Sequence, residues 1–298
     1  MGLFTGVALP SIGGTEGLGV IEKVGADLQG QWRQGQRVQV TANYVFGNWS
    51  VWQGVWSEYV VRPGHVLIPI PDEVEDDVAA QFMVNPLTAF AMVKSFPLRS
   101  GKVLMQTAAG SVLGRLMIQL AGIYGFETIN IVRRQQTADE LKNEFRIETA
   151  YVYDGSDESA TALKAAIAAD FEGRPIDYCI EAVGGETARL CLDLLGPSGD
   201  LYIYGAMTGE VSLTINTVED LAMRNNALKG WSTQETWLRQ TDEATKHAYV
   251  DELMALIASG QLKLPAAGER FALSQVRDAM AASVRPGRVG KVMIDCRT

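Results

Sequence analysis

Histidine and cysteine are scarce in this sequence. Of its 298 residues, two are His (His65 and His247) and three are Cys (Cys179, Cys191 and Cys296). No CxxC occurs and neither histidine lies near a cysteine. The three or four convergent nitrogen and sulfur ligands that zinc takes therefore cannot be assembled, and no metal is expected. Scattered thiols make no disulfide framework, which points to a reducing, cytoplasmic setting. Positive charge is also short. Against 35 Asp and Glu there are 26 Lys and Arg, for a net charge of -9. That excludes a general nucleic-acid surface but leaves room for a local basic patch that grips a small anion. No apolar run reaches the roughly 18 residues of a membrane span. The leading "MGLFTGVALP" has neither the basic lead nor the apolar core of a signal peptide, and Gly6 breaks the myristoylation pattern.

What is present is a globular composition, 47% hydrophobic and 20% charged, at a length where one core gives way to two domains. The first 84 residues read as β-rich. "GLGVIEKVG", "QRVQVTA" and "VWSEYVV" partly alternate and are split by glycines, and "HVLIPIPDEV" closes the region. At "DDVAAQFMVNPLTAFAMVKSF" apolar residues begin to recur at three and four, as on a helix, with Pro86 marking a break or a start. Strands and helices then alternate. "KVLMQTA", "TINIVRR", "TAYVYDG", "IDYCIEAVG" and "DLYIYGA" read as strands, each separated from the next by one helix. That order predicts a doubly wound parallel α/β sheet. "HAYVDELMALIASGQL" reads as a helix ended by Gly260, and the tail offers a short helix and a final strand that pack back on the first domain.

Between the first two of these strands lies "AGSVLG". Laid over the dinucleotide pattern GxGxxG, it keeps only the third glycine, Gly114; Ala109 and Ser111 fill the other two positions. A glycine-poor turn without ligand is one reading. The other is a phosphate seat, in which Ser111 donates to a phosphate oxygen and the helix start offers free amides. The second strand ends in Arg133-Arg134, where a cofactor with a free 2′-hydroxyl usually meets an acid. Paired guanidinium forks suit a 2′-phosphate, so the segment is expected to hold NADPH in preference to NADH; a solvated basic strand end is the alternative.

"GGTEGLGVIEKVG", "GVWSEYVV", "NPLTAF", "AAGSVLGRLMIQLA", "TINIVRR", "EAVGG", "YGAM", "LKGW" and "GRVGKVMI" follow in one order along nearly the whole chain. In that order the sequence resembles the zinc-independent medium-chain dehydrogenase/reductases, and within them the 2-enoyl thioester reductase and quinone oxidoreductase branch. The resemblance implies a GroES-like catalytic domain (residues 1–84 and 264–298), a Rossmann NADPH-binding domain (85–263) and a homodimer joined through sheet edges. It also implies site residues. Asn85 and Thr88 would lie near the nicotinamide ribose. Gly110, Ser111, Val112 and Leu113 would line the pyrophosphate, and Arg133 and Arg134 would take the 2′-phosphate. Tyr204, Gly205, Ala206 and Met207, with Trp231, Ser232 and Thr233, would flank the nicotinamide. Lys291 would reach the cofactor from the tail.

Two departures from the family stand out. Where zinc-dependent relatives carry Gly-His-Glu, this chain has Gly14-Thr15-Glu16. The tyrosine that the thioester reductases place ahead of their "GGNEG"-like segment aligns here with Leu3, beside Phe4, and neither donates a proton. The chain is thus either truncated or without that tyrosine. Weak substitutes are Tyr44, Tyr59 and Thr88. The aromatic stretch with Trp49, Trp52 and Trp56 reads either as an apolar wall for substrate or as a packed hairpin. The expected activity is metal-free, NADPH-dependent reduction of a conjugated carbonyl compound, whether enoyl thioester, enone or quinone. A non-catalytic NADPH-binding redox sensor or partner-binding protein is the alternative.

Overall fold

The structure is a computed structural model and describes residues 11–42, 53–233, 237, 240–285 and 290–297. The chain divides into two compact units, one of residues 1–88 with 247–298 and the other of residues 89–246.

In the first unit, β1 (Glu16–Val20) pairs antiparallel with β2 (Arg37–Thr41), and β2 pairs with the short β3 (Ile68–Pro69). Val38 and Val40 of β2 are buried. Arg37 bonds the carbonyl oxygens of Pro71 and Val74 at 2.8 and 2.6 Å and the carboxylate of Asp76 at 2.6 Å. It thereby fastens β2 to the start of α1 (Asp76–Ala79). The glycines of "IGGTEG" have a plain cause: a β-carbon on Gly13 or Gly14 would fall 2.5 Å from the indole of Trp56. Trp56 therefore packs under this turn; Trp49, Trp52 and Tyr44, and with them the choice between wall and hairpin, lie outside the described residues. The alternating "VWSEYVV" is not a strand. It runs as bends, with Tyr59 74% and Val61 91% exposed, and the Arg62 guanidinium instead takes the carbonyl oxygens of Thr41, Gln53, Gly54 and Val61.

The helix α2 (Asn85–Ser95) runs from one unit into the other. The second unit is the expected doubly wound α/β sheet. Its strands β4 (Val103–Gln106), β5 (Glu127–Val132), β6 (Ala150–Val152), β7 (Tyr178–Glu181), β8 (Asp200–Ile203) and β9 (Ala227–Gly230) lie in the order β6-β5-β4-β7-β8-β9, all parallel. The helices α3 (Val112–Tyr124), α4 (Gln135–Phe145), α5 (Asp157–Asp170) and α6 (Gly185–Leu194) make the crossovers. Because β4 lies between β5 and β7, chain direction across the sheet reverses there. The crevice at the carboxyl ends of β4 and β7 is the ligand position of such sheets. The sixth strand, β9, is not visible as a strand in the sequence, and a π-helical segment (Thr217–Met223) precedes it.

The chain then returns to the first unit through α7 (Glu243–Ala258), β10 (Ala267–Ala272), α8 (Val276–Ser283) and β11 (Lys291–Asp295), with β10 and β11 parallel. Gly260 follows α7 at φ +71°, a left-handed stop. Within the first unit, Arg270 pairs with Asp77, and the Cys296 thiol lies 3.8 Å from the Val55 carbonyl. The second compact unit runs to residue 246, within the first turn of α7. Among the described residues, no helix is long and apolar enough to cross a membrane.

Candidate dinucleotide-binding site

Four strand ends stand in a row at the carboxyl edge of the sheet: β5, β4, β7 and β8. In the middle, β4 leads into Thr107 and then Ala108, which adopts a left-handed φ of 49°. Ser111 caps α3. Its Oγ accepts from the Gly114 amide at 3.2 Å, which leaves the hydroxyl proton free to donate. The first amides of α3, those of Val112 and Leu113, lie where a helix start offers donors without partners in the helix, the arrangement that suits an anion. Two glycines make the turn possible. A β-carbon on Gly114 would collide with the carbonyl of Ala109, so helix and strand meet as closely as the third glycine of the pattern requires. One on Gly110 would fall 2.5 Å from Thr137 Cγ2. Below the turn, buried Gln106 bonds the Gly114 carbonyl at 3.0 Å and Asn130 at 2.7 Å, which ties β4 to β5 and α3.

At the end of β5 stand Arg133 and Arg134, both exposed, the latter capping α4. Among the described residues neither guanidinium has an ion pair or a side-chain hydrogen bond. Other arginines nearby are committed: Arg115 to Glu140 and Glu144, Arg174 to Glu127, and Arg189 to Asp193 and Asp220. Cationic groups left unpaired beside a phosphate-type turn are what a second anionic group would use.

At the end of β7, Glu181 is fully buried. Its carboxylate accepts from the amide of Val183 at 2.6 Å, that of Gly184 at 3.1 Å and the Thr107 hydroxyl at 3.2 Å. Thr107 in turn accepts from the Ala182 amide at 3.0 Å. Thus one carboxylate joins the phosphate turn to the Val183–Gly184 turn. The sequence shows the glycines of "EAVGG" but not this clamp; a Glu ending an otherwise apolar strand was the available signal. Past β8, the Tyr204 amide donates to the Glu181 carbonyl, and Met207 and Thr208 donate to Ala182 and Val183, so residues 204–208 run beside this turn. Gly205 lies close against Ala182, Ala206 is half-buried, and Met207 is 70% exposed. Burial, and then the Glu181 charge, push the Tyr204 phenol well above its ordinary pKa.

The remaining expected residues divide. Trp231 is buried in an aromatic cluster, its ring 5.4 Å from Phe96 and 6.4 Å from Tyr202, with Ser232 and Thr233 half-buried after it. In the first unit, Asn85 and Thr88 are both half-buried, three residues apart and so on one face of α2, between buried Pro86, Leu87 and Ala89. Lys291 is ion-paired to Glu16, whose other oxygen accepts from the amides of Met83 and Val84 at 2.8 Å each. Glu16 thus pins the residues that enter α2, a role the sequence did not show. Among the described residues, no cluster of His, Cys, Asp and Glu could hold a metal ion.

A Rossmann sheet with this turn and a β-rich companion unit define a class, and comparisons agree with it. The profile of the alcohol dehydrogenase GroES-like domain matches residues 1–72, and that described as zinc-binding dehydrogenase matches residues 149–294. The chain belongs to the medium-chain dehydrogenase/reductase superfamily. It is 30% identical to the mitochondrial enoyl-[acyl-carrier-protein] reductase of Rattus norvegicus, over 93% of this chain and 71% of that one. It is 28% identical to the enzyme of the same name from Dictyostelium discoideum, over 98% and 79%. A crystal structure of a putative NADPH:quinone reductase from Bacillus thuringiensis superposes with a TM-score of 0.82 at 25% identity, covering 96% of this chain and 81% of that one.

Proposed function

We propose that the protein is an NADPH-dependent reductase of an activated carbon–carbon double bond or a quinone, and that it works without a metal. The single observation that carries the cofactor is the pair Arg133 and Arg134, unpaired among the described residues at the tip of β5 beside the Ser111 turn. Gly114 lets α3 pack closely on β4, as the third glycine of the dinucleotide pattern does, and Ser111 with the first amides of α3 supplies donors, so the residues fit a 2′-phosphorylated dinucleotide. The names of the relatives, enoyl reductase and NADPH:quinone reductase, support the same reading.

In this reading, Arg133 and Arg134 hold the 2′-phosphate, and Ser111 with the first amides of α3 holds the pyrophosphate. Val183, Gly184 and Tyr204–Met207, at the ends of β7 and β8, would shape the seat of the nicotinamide half. Bound NADPH supplies a hydride to the β-carbon of a conjugated carbonyl. The chain must stabilise charge on the carbonyl oxygen and deliver a proton. Of the expected donors, Thr88 and Tyr59 lie among the described residues. A quinone demands least of the protein, because its oxyanion is already stabilised. A homodimer built along sheet edges completes the reading, since among the described residues β9 has a strand neighbour on one side only.

The test is NADPH oxidation against a crotonyl thioester, a naphthoquinone and a simple enone, with and without a chelator. Turnover of at least one, unchanged by chelation, is the expected result. Tight NADPH binding with no turnover of any would overturn the reductase in favour of a redox sensor.

A further inference from the structure

The carboxylate of Glu181 is buried completely, yet no cation pairs with it among the described residues. Its partners are the Thr107 hydroxyl and the amides of Val183 and Gly184, all neutral donors. They fix the group in place without cancelling its charge. Burial also keeps water and salt from screening it. A second carboxylate, that of Glu210, lies against Gly185 on the same turn, but Glu210 is exposed and its field is damped.

The position matters because the ligand's direction follows from the strand order. If the 2′-phosphate is at β5 and the pyrophosphate at the turn after β4, the nicotinamide must continue toward β7 and β8. Glu181 ends β7. We propose that Glu181 sets the preference of the site for the oxidised over the reduced nicotinamide. The oxidised ring carries a positive charge and the reduced ring carries none, so a fixed negative charge favours only the first. As hydride leaves, positive charge grows on the ring, and the same field stabilises that development. Glu181 acts through this field and through the turn it positions, without being asked to touch the reacting atoms.

This inference rests on the dinucleotide reading above, and the experiment separates the two. Dissociation constants are measured for NADPH, NADP⁺ and adenosine 2′,5′-bisphosphate, the last lacking the nicotinamide. Failure of the wild-type protein to bind any of them defeats the cofactor reading itself. With wild-type binding established, Glu181→Gln is expected to weaken NADP⁺ about tenfold, while NADPH and the bisphosphate stay within about twofold. A tenfold change in that ratio moves the potential of the bound two-electron couple by about 30 mV, toward easier reduction in the variant. Glu181→Asp, which keeps the charge, should hold the wild-type ratio. Glu181→Asn serves as a second neutral variant if the Gln protein does not fold. Equal weakening of all three ligands would show that the carboxylate only shapes the turn, and an unchanged NADP⁺ to NADPH ratio in a folded neutral variant would likewise overturn the proposal.

Discussion

Thr137 stands over Gly110, its Cγ2 2.5 Å from where a β-carbon on that glycine would lie. This contact joins the turn after β4 to the first helical turn after Arg134 and so sets the spacing between the two groups proposed to hold the cofactor's phosphates. Gly110→Ala should force them apart, destabilise the protein by about 1–3 kcal/mol through overpacking and weaken NADPH. Adding Thr137→Ser, which removes the obstructing methyl, should restore most of both losses. Urea unfolding and cofactor titration of the single and double variants measure this, and absence of rescue would locate the damage elsewhere.

Arg133 and Arg134 have no partner to lose among the described residues, so their substitution acts on ligand alone. Arg133→Glu should raise the dissociation constant for NADPH about 10- to 100-fold, the worth of lost charge-assisted hydrogen bonds, with added repulsion. That for NADH should change little. Fluorescence titration with both cofactors decides it; equal effects would move the 2′-phosphate site away from β5.

The Glu16 carboxylate, almost wholly buried, serves two amides and the Lys291 ammonium at once. Glu16→Gln retains one acceptor oxygen and should cost about 1–3 kcal/mol of stability. Lys291→Met leaves the carboxylate unpaired and should cost a comparable amount. If the ion pair is a real coupling, the double variant should lose less than the sum of the two in a denaturation cycle.

The Arg189 guanidinium, with the Asn216 amide, lowers the pKa of the Asp220 carboxyl to about 2. Its unfolded value is about 3.9. A lowered folded value means stability that is complete above the unfolded pKa and lost as pH falls toward the folded one. Wild-type stability should therefore decline from about pH 4 down to about pH 2. Asp220→Asn should flatten that part of the curve while lowering stability at neutral pH, as thermal melts across the range would show.

The sheet was legible because alternation of strand and helix is a long pattern, and β4 to β8 each carry buried or half-buried apolar residues. β9 was not, because "ALKG" is short, carries a lysine and is half solvated, so nothing in its composition separates it from a loop. "VWSEYVV" misled for the opposite reason: it alternates, yet Tyr59 and Val61 are both exposed, so the alternation does not mark one buried and one solvated face. At the site, Ser111, Gly114 and the arginines could be located by counting from a strand. Glu181 could not, since its importance lies in which amides and which hydroxyl surround it, and Thr107 is 74 residues away in sequence. The aromatic cluster that buries Trp231 against Phe96 and Tyr202 was likewise not legible, since its three rings come from separate stretches of the chain.

The Ser111 hydroxyl is already bonded to the Gly114 amide, and Gly114 has no room even for a methyl group. The conformational entropy of the loop is consequently surrendered when the polypeptide folds, not when nucleotide arrives. Association should then proceed as docking onto a rigid seat, with little loop ordering to slow it and with a rate that salt modulates through the two arginines.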